Sequence, residues 1–300
     1  MLDLAPGNRF AFGVSLPAPG SDIRVLTAAL EDLEAADFLV LTGDTGLAPI
    51  AALGFLAPRT TIGLVAEVDA GYVEPFFTSK ELATLDLVSA GRAGWQLAVD
   101  PGAGAARKRG RAPLPPAELT ERVVEYATVV RDLWDSWDPD AVVRDRARGL
   151  FLRADRVHRL DHAGAHFRVR GPAILPRPVQ GHPPAFVRLT GDEHSCRLAR
   201  AVAEVVRVPA GSAGRARETF PDARVLADVP FDGVSATLAA AERISAVAQG
   251  IVVEFGDPGD LAALREVAGG LGERAPRTAT LRERLGLPAA ISRFVREEKP

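Results

Sequence analysis

Residues 60–68 read Thr-Thr-Ile-Gly-Leu-Val-Ala-Glu-Val, residues 79–91 Ser-Lys-Glu-Leu-Ala-Thr-Leu-Asp-Leu-Val-Ser-Ala-Gly, and residues 94–99 Gly-Trp-Gln-Leu-Ala-Val. The outer two are short apolar runs, the first with β-branched Thr61, Ile62 and Val65. Between them Leu82, Leu85 and Val88 fall on one side of a helix that stops at Gly91. Strand, helix and strand in so short a span make the unit of a parallel sheet, whose neighbouring strands need a crossover connection.

The same alternation continues in both directions. Upstream, Phe10–Leu16 reads as a strand closed by Pro17, and Ile23–Ala36 as a helix through Ile23, Leu26, Leu30 and Leu33. Phe38–Leu41 reads as a second strand, ended by Thr42-Gly43-Asp44. Downstream, Leu119, Val123, Tyr126, Val130, Leu133 and Trp137 step by fours and threes, which predicts one long amphipathic helix over 118–137. The rhythm then pauses. Residues 138–184 are rich in Arg, Asp, Gly and Pro, with strand-like pieces at 150–152 and 166–169, and read as a surface excursion. Strands resume at 185–190, 205–208, 224–229 and 250–255, with helices at 194–203, 215–220, 235–248 and 261–268. Eight strands joined by helices predict an α/β fold, a (β/α)8 TIM barrel over residues 1–300, with 138–184 as an insertion after the fourth helix. An open doubly wound sheet is the alternative.

Composition bounds the function. The chain has 300 residues, 47% hydrophobic and 25% charged, with a formal net charge of −3. Nothing global points to nucleic acid or an anionic membrane. Cys196 is the single cysteine, so no internal disulfide forms, and a reducing compartment is expected. The first residues lack a signal-peptide pattern and no apolar run reaches the length of a membrane span, so a cytoplasmic location is expected.

In such a barrel, chemistry lies on the loops after the strands, where Asp44, Glu67, Asp69, Gln96, Asp100, Asp192, Glu193, Asp228, Asp232, Glu254 and Asp257 fall. Their carboxylates suit a metal or acid–base pair, or simply helix capping. His158, His162 and His166 are spaced by four, but Asp161–Gly164 reads as a turn, so no metal is expected there. Gly102-Ala103-Gly104 lacks a dinucleotide loop's third glycine. The run Arg107-Lys108-Arg109-Gly110-Arg111 reads as a solvated loop. Cys196 is expected to be buried in a helix, and His182 exposed.

Several stretches together carry a resemblance. They are 61–65, 82–95, Leu133-Trp134-Asp135-Ser136-Trp137, Val157-His158, 161–172, Pro178-Val179-Gln180-Gly181 and 280–288. Jointly they resemble the bacterial-luciferase-like flavin-dependent monooxygenases, in the branch acting on nitrilotriacetate, EDTA and dibenzothiophene sulfone. The resemblance implies a TIM barrel, reduced FMN supplied by a separate flavin reductase, a small organic substrate and often a homodimer. It places Asp44, Glu67, Gln96, Asp100, Gly191, Asp192 and Ser195 at the cofactor. Departures from the family pattern cluster there. Leu119 and Val123 stand where the family has His and Tyr, beside a retained Arg122. Asp192 and Ser195 stand where it has a phosphate-binding Ser and Gly. A carboxylate at a helix N-terminus occupies the N–H groups a phosphate would use, and repels it. The leading expectation is therefore a monooxygenase relative with a weakened FMN site. The alternatives are a non-catalytic paralogue or partner subunit of an active barrel, and an oxidoreductase using the deazaflavin F420.

Overall fold

The computed structural model of the protein describes residues 9–18, 22–43, 47–100, 102–256 and 258–294. Eight strands run parallel and close into one barrel: β1 (Ala11–Pro17), β2 (Phe38–Thr42), β3 (Gly63–Asp69) and β4 (Ala93–Ala98), then β9 (Ala185–Arg188), β10 (Val205–Pro209), β11 (Arg224–Pro230) and β12 (Gly250–Glu254). β1 closes the ring by pairing with both β2 and β12. The open-sheet alternative is excluded.

Helices cover the outside. They are α1 (Arg24–Ala28), α2 (Leu30–Leu33), α3 (Pro49–Leu56), α4 (Pro75–Val88), α5 (Ala103–Lys108), α6 (Pro116–Asp135), α7 (Glu193–Val202), α8 (Ala213–Thr219), α9 (Val234–Ser245), α10 (Leu264–Leu271) and α11 (Leu281–Arg284). The excursion holds two hairpins outside the ring, β5 (Val142–Asp145) with β6 (Leu150–Leu152), and β7 (Asp161–Ala163) with β8 (Arg168–Arg170).

Four local expectations fail for physical reasons. The helix expected over 23–36 breaks at Ala29 into α1 and α2, although Leu26 and Leu33 still face the core. α3 was not foreseen, because Pro-Ile-Ala-Ala-Leu-Gly-Phe-Leu is apolar on every side and shows no stripe. The basic run begins inside α5, whose alanines favour helix. Asp161–Ala163 is a strand, because β8 supplies the pairing that a local reading could not see.

The barrel interior is layered by the two-residue period of its strands. Ala11, Phe38, Val40, Val65, Phe186, Val205, Leu226 and Val252 point inward and form a buried apolar cluster. Gly13 makes room for the Phe38 ring: a Cβ there would lie 2.2 Å from Phe38 Cζ. The floor comes from far along the chain. Leu281 and Leu285, at and just after α11, complete the same cluster from below. A capping box holds α11, with the Thr280 hydroxyl accepting from the Glu283 N–H while the Glu283 carboxylate accepts from the Thr280 N–H.

Candidate functional site

Two residues above the apolar layer, the interior becomes ionic. Val65 is followed at i+2 by Glu67, Gly94 by Gln96, Phe186 by Arg188, Val205 by Arg207, Leu226 by Asp228 and Val252 by Glu254. Strand geometry returns each to the same inner face, at the strands' C-terminal ends. These side chains form one network. Arg207 is fully buried; it donates through Nε to Asp228 at 2.8 Å, through Nη1 to Gln96 at 2.8 Å and through Nη2 to Glu254 at 3.3 Å. Arg188, half-exposed, bonds Asp228 through Nε and Glu254 through Nη2, both at 2.8 Å. Gln96 donates to Glu67 at 2.7 Å, and the other Glu67 oxygen accepts from the Gly43 N–H at 2.8 Å.

Of the site residues expected from sequence, Glu67 and Gln96 are therefore in direct contact. Asp44 and Asp257 lie outside the described residues. Asp100 is exposed and accepts from the Gly102 N–H at 2.7 Å. Arg207 and Arg188 were missed as members of the site. Their signal was available: an arginine within an apolar strand, two residues beyond an inward-facing position.

Gly191, Asp192 and Ser195 come together at the start of α7. Gly191 adopts φ +88°, the left-handed conformation that favours glycine. Asp192 is the N-cap, accepting from the Ser195 N–H at 2.8 Å. It also accepts from the Thr190 hydroxyl, and the Ser195 hydroxyl accepts from the Thr190 N–H at 3.3 Å. The Thr190 bond and the α7 N–H groups outweigh partial burial and hold the Asp192 carboxyl below its ordinary range. Arg197 is paired with Glu121 at 3.0 Å.

A cavity of about 750 Å³ opens at the ends of β2, β3 and β4. Glu67, Asp69 and Asp100 line it, with Ile50 from α3 and Leu85 and Val88 from α4. Lys108 and Arg109, from the basic run, also reach it.

On α6, Leu119 packs with Tyr72, Ala105 and Ala106, and Val123 lies in the main core. Arg122 ties the excursion to the loop after β3. It donates to Gly71 O at 2.9 Å and His166 O at 3.4 Å, with its guanidinium 4.1 Å from the centre of the Phe167 ring. The spaced histidines do not converge. His162 pairs with Glu125 at 2.9 Å and His158 with Asp138 at 2.8 Å. His182, expected to be exposed, is half-buried against Asp135 at 2.7 Å. Cys196, expected to be buried, is half-exposed.

Known proteins share this architecture. The family model described as luciferase-like monooxygenase matches residues 8–253. The chain belongs to the luciferase-like monooxygenase family. A pristinamycin IIA synthase component from Streptomyces pristinaespiralis, named as one subunit of that synthase, is 36% identical over 290 residues, which cover 92% of this chain and 93% of that protein. Nitrilotriacetate monooxygenase component A from Aminobacter aminovorans is 36% identical over 162 residues, 53% of this chain but 36% of the relative. This chain thus matches about a third of that longer relative. Among solved structures, EDTA monooxygenase from Chelativorans sp. BNC1 superposes with a TM-score of 0.78 at 20% identity, covering 94% of this chain and 99% of that one.

The stretches that signal membership in the luciferase-like monooxygenases serve the scaffold. Asp86, in the 82–95 stretch, is buried near the strand starts. It accepts from the Gln180 N–H at 3.1 Å, Gln180 Nε2 at 2.6 Å and the Ala93 N–H at 3.3 Å. The Gln180 side-chain Oε1 accepts in turn from the Arg282 N–H at 2.8 Å. Three family stretches distant in sequence thus meet at one buried carboxylate beneath the barrel. Burial drives the Asp86 carboxyl above its ordinary range, against the pull of these donors. Among the described residues no helix is long and apolar enough to cross a membrane.

Proposed function

We propose that this chain is a subunit of a two-component flavin monooxygenase in which a partner barrel holds the FMN and this barrel binds flavin weakly or not at all. The observation that carries the reading is the girdle of Arg207, Asp228, Glu254, Arg188, Gln96 and Glu67 at the barrel mouth. Its two arginines are already matched to Asp228 and Glu254, and Glu67 is held by Gln96 and the Gly43 N–H, so inserting a flavin ring among them would break the buried Arg207–Asp228 pair, at roughly 3–5 kcal/mol if left uncompensated.

The start of α7 supports the same reading. A helix N-terminus holds a phosphate with free N–H groups and its dipole. Here Asp192 takes the Ser195 N–H and sets a negative charge where the family resemblance puts the phosphate. Arg188 and Arg197, the cations nearest in sequence, are committed to other carboxylates. The residues present do not fit the FMN phosphate. The near full-length match to a protein named as a synthase subunit supports a role beside another chain. In that assembly a separate flavin reductase would supply reduced FMN to the partner barrel, which would oxygenate a small organic substrate.

The test is flavin binding and turnover by the purified chain, alone and with a co-expressed flavin-binding barrel of the same family. The chain alone should purify colourless and give no substrate oxygenation with reductase and NADH. The mixed preparation should co-elute on gel filtration and turn over. One FMN per chain surviving gel filtration, or turnover by the lone chain with reductase, would overturn the proposal.

A further inference from the structure

Large apolar side chains left in water are unevenly spread over this barrel. Phe55 lies on α3, Phe77, Leu87 and Val88 on α4, and Ile174 and Val179 on the part of the excursion that runs beside α4; each is between 42% and 63% exposed. Ile174 shares a cleft with Phe76 and Lys80 of α4. Val179 reaches the far end of that helix, where a Cβ on Gly91 would lie 3.1 Å from Val179 Cγ1. α3 packs beside α4, so the six share one side of the molecule. Contiguous apolar surface of this kind marks a contact with another protein.

The composition of α3 points the same way. Pro-Ile-Ala-Ala-Leu-Gly-Phe-Leu offers no polar side chain to water, although Ala51 and Phe55 face outward. A helix apolar on every side belongs in an interior, and this barrel covers only the side of Ala52, Leu53 and Leu56. α7 shows the ordinary case, with Glu193, Arg197 and Arg200 exposed.

What covers the face follows from its own layout. At 3.6 residues per turn, Phe77, Thr84 and Val88 make the outermost ridge of α4. Lys80 lies on the flank towards Ile174, and Glu81 on the flank towards α3. Among the described residues neither charge makes an ion pair. A two-fold axis along α4 lays each flank over the opposite flank of a second copy. Lys80 then meets the second copy's Glu81, and Leu87 and Ile174 meet the small Ala51 and Gly54 of its α3. Charge and size are complementary within one face, as an isologous contact requires. An axis across α4 would instead set like charges opposite each other. We propose that a second copy of this chain docks on the α3–α4 face about a two-fold axis along α4. The contact goes beyond the flavin reading and does not rest on it, since Phe77 and Leu87 are not members of the girdle at the mouth.

The experiment is sedimentation velocity of the full chain over a range of concentrations, and the expected result is a dimer. Phe77→Glu with Leu87→Glu charges two exposed positions and should give a monomer with the far-UV circular dichroism of wild type. Phe151→Glu, on the β5–β6 hairpin and as exposed as Phe77, should leave the dimer intact. Lys80→Glu and Glu81→Lys should each weaken the dimer by roughly fivefold or more, and the two together should restore it to within about twofold of wild type. A monomer at every concentration, a dimer indifferent to Phe77→Glu with Leu87→Glu, or a charge swap that restores nothing would overturn the proposal. So would a chain that uses this face only for a flavin-binding barrel of the same family, a result that would leave the flavin reading standing.

Discussion

Replacing Arg207 by Met tests whether the mouth network is a unit of stability. Arg207 is 1% exposed at its side chain and Asp228 3%, so both charges are out of water. Breaking a buried pair by removing one partner typically costs about 3–5 kcal/mol, because the remaining charge loses its compensation. Here Arg188 stays with Asp228 and Glu254, both at 2.8 Å, so neither carboxylate is abandoned. Gln96 loses a donor, which adds about 1 kcal/mol. Weighing these, Arg207→Met should cost about 3 kcal/mol, at the lower end of the range for a broken pair. The assay is urea unfolding followed by far-UV circular dichroism and tryptophan fluorescence, with coincident transitions required before a free energy is extracted. The second arm adds Asp228→Leu. Removing both charges leaves Arg188 with Glu254, so the double variant should recover about 1–2 kcal/mol of the loss. A single variant within about 0.5 kcal/mol of wild type would mean that the girdle is not a cohesive unit. Strict additivity in the double variant would mean that Arg207 and Asp228 do not act on each other.

Three further outcomes are expected. Asp192→Ala should lower stability by about 1 kcal/mol through loss of the α7 cap, whereas Asp192→Ser should keep most of it. If the Asp192 carboxylate is what opposes phosphate, Asp192→Ser with Ser195→Gly should bind FMN at least tenfold more tightly than wild type in low-salt titrations; equal affinities would refute this. Asp86 has a folded-state pKa raised above its unfolded value of 3.8, so its favourable contribution is full below that value and is lost as pH rises through the folded pKa. The advantage of wild type over Asp86→Asn in urea melts should therefore be larger near pH 4 than at pH 7, and an advantage that grows towards neutrality would contradict the burial argument. Leu281→Ala should cost about 2–5 kcal/mol by opening a cavity in the barrel floor, measured by the same melts; a loss below about 1 kcal/mol would show that the tail is not part of the core.

The barrel was legible because its cause is local. Each strand is a short run with β-branched or apolar residues, each helix a stripe of period near 3.6, and both follow from neighbouring residues. The Asp192 cap was legible for the same reason, since an N-cap carboxylate and the N–H group that donates to it lie within one turn. α3 was not, because a uniformly apolar segment has no period to read. The β7 strand was not, because its pairing partner, not its own residues, settles its conformation.

The sequence by itself therefore determined the order of strands and helices, the place of the excursion and the acid at the head of α7. Tertiary structure decided which of those residues meet. Arg207 bonds Gln96 across 111 residues and Arg282 bonds Gln180 across 102, distances over which no periodicity in the chain carries information. It also decided which carboxylates find a cation and which arginines do not. Ion pairing depends on position in space and exclusion of water, and both exist only once the ring of strands has closed.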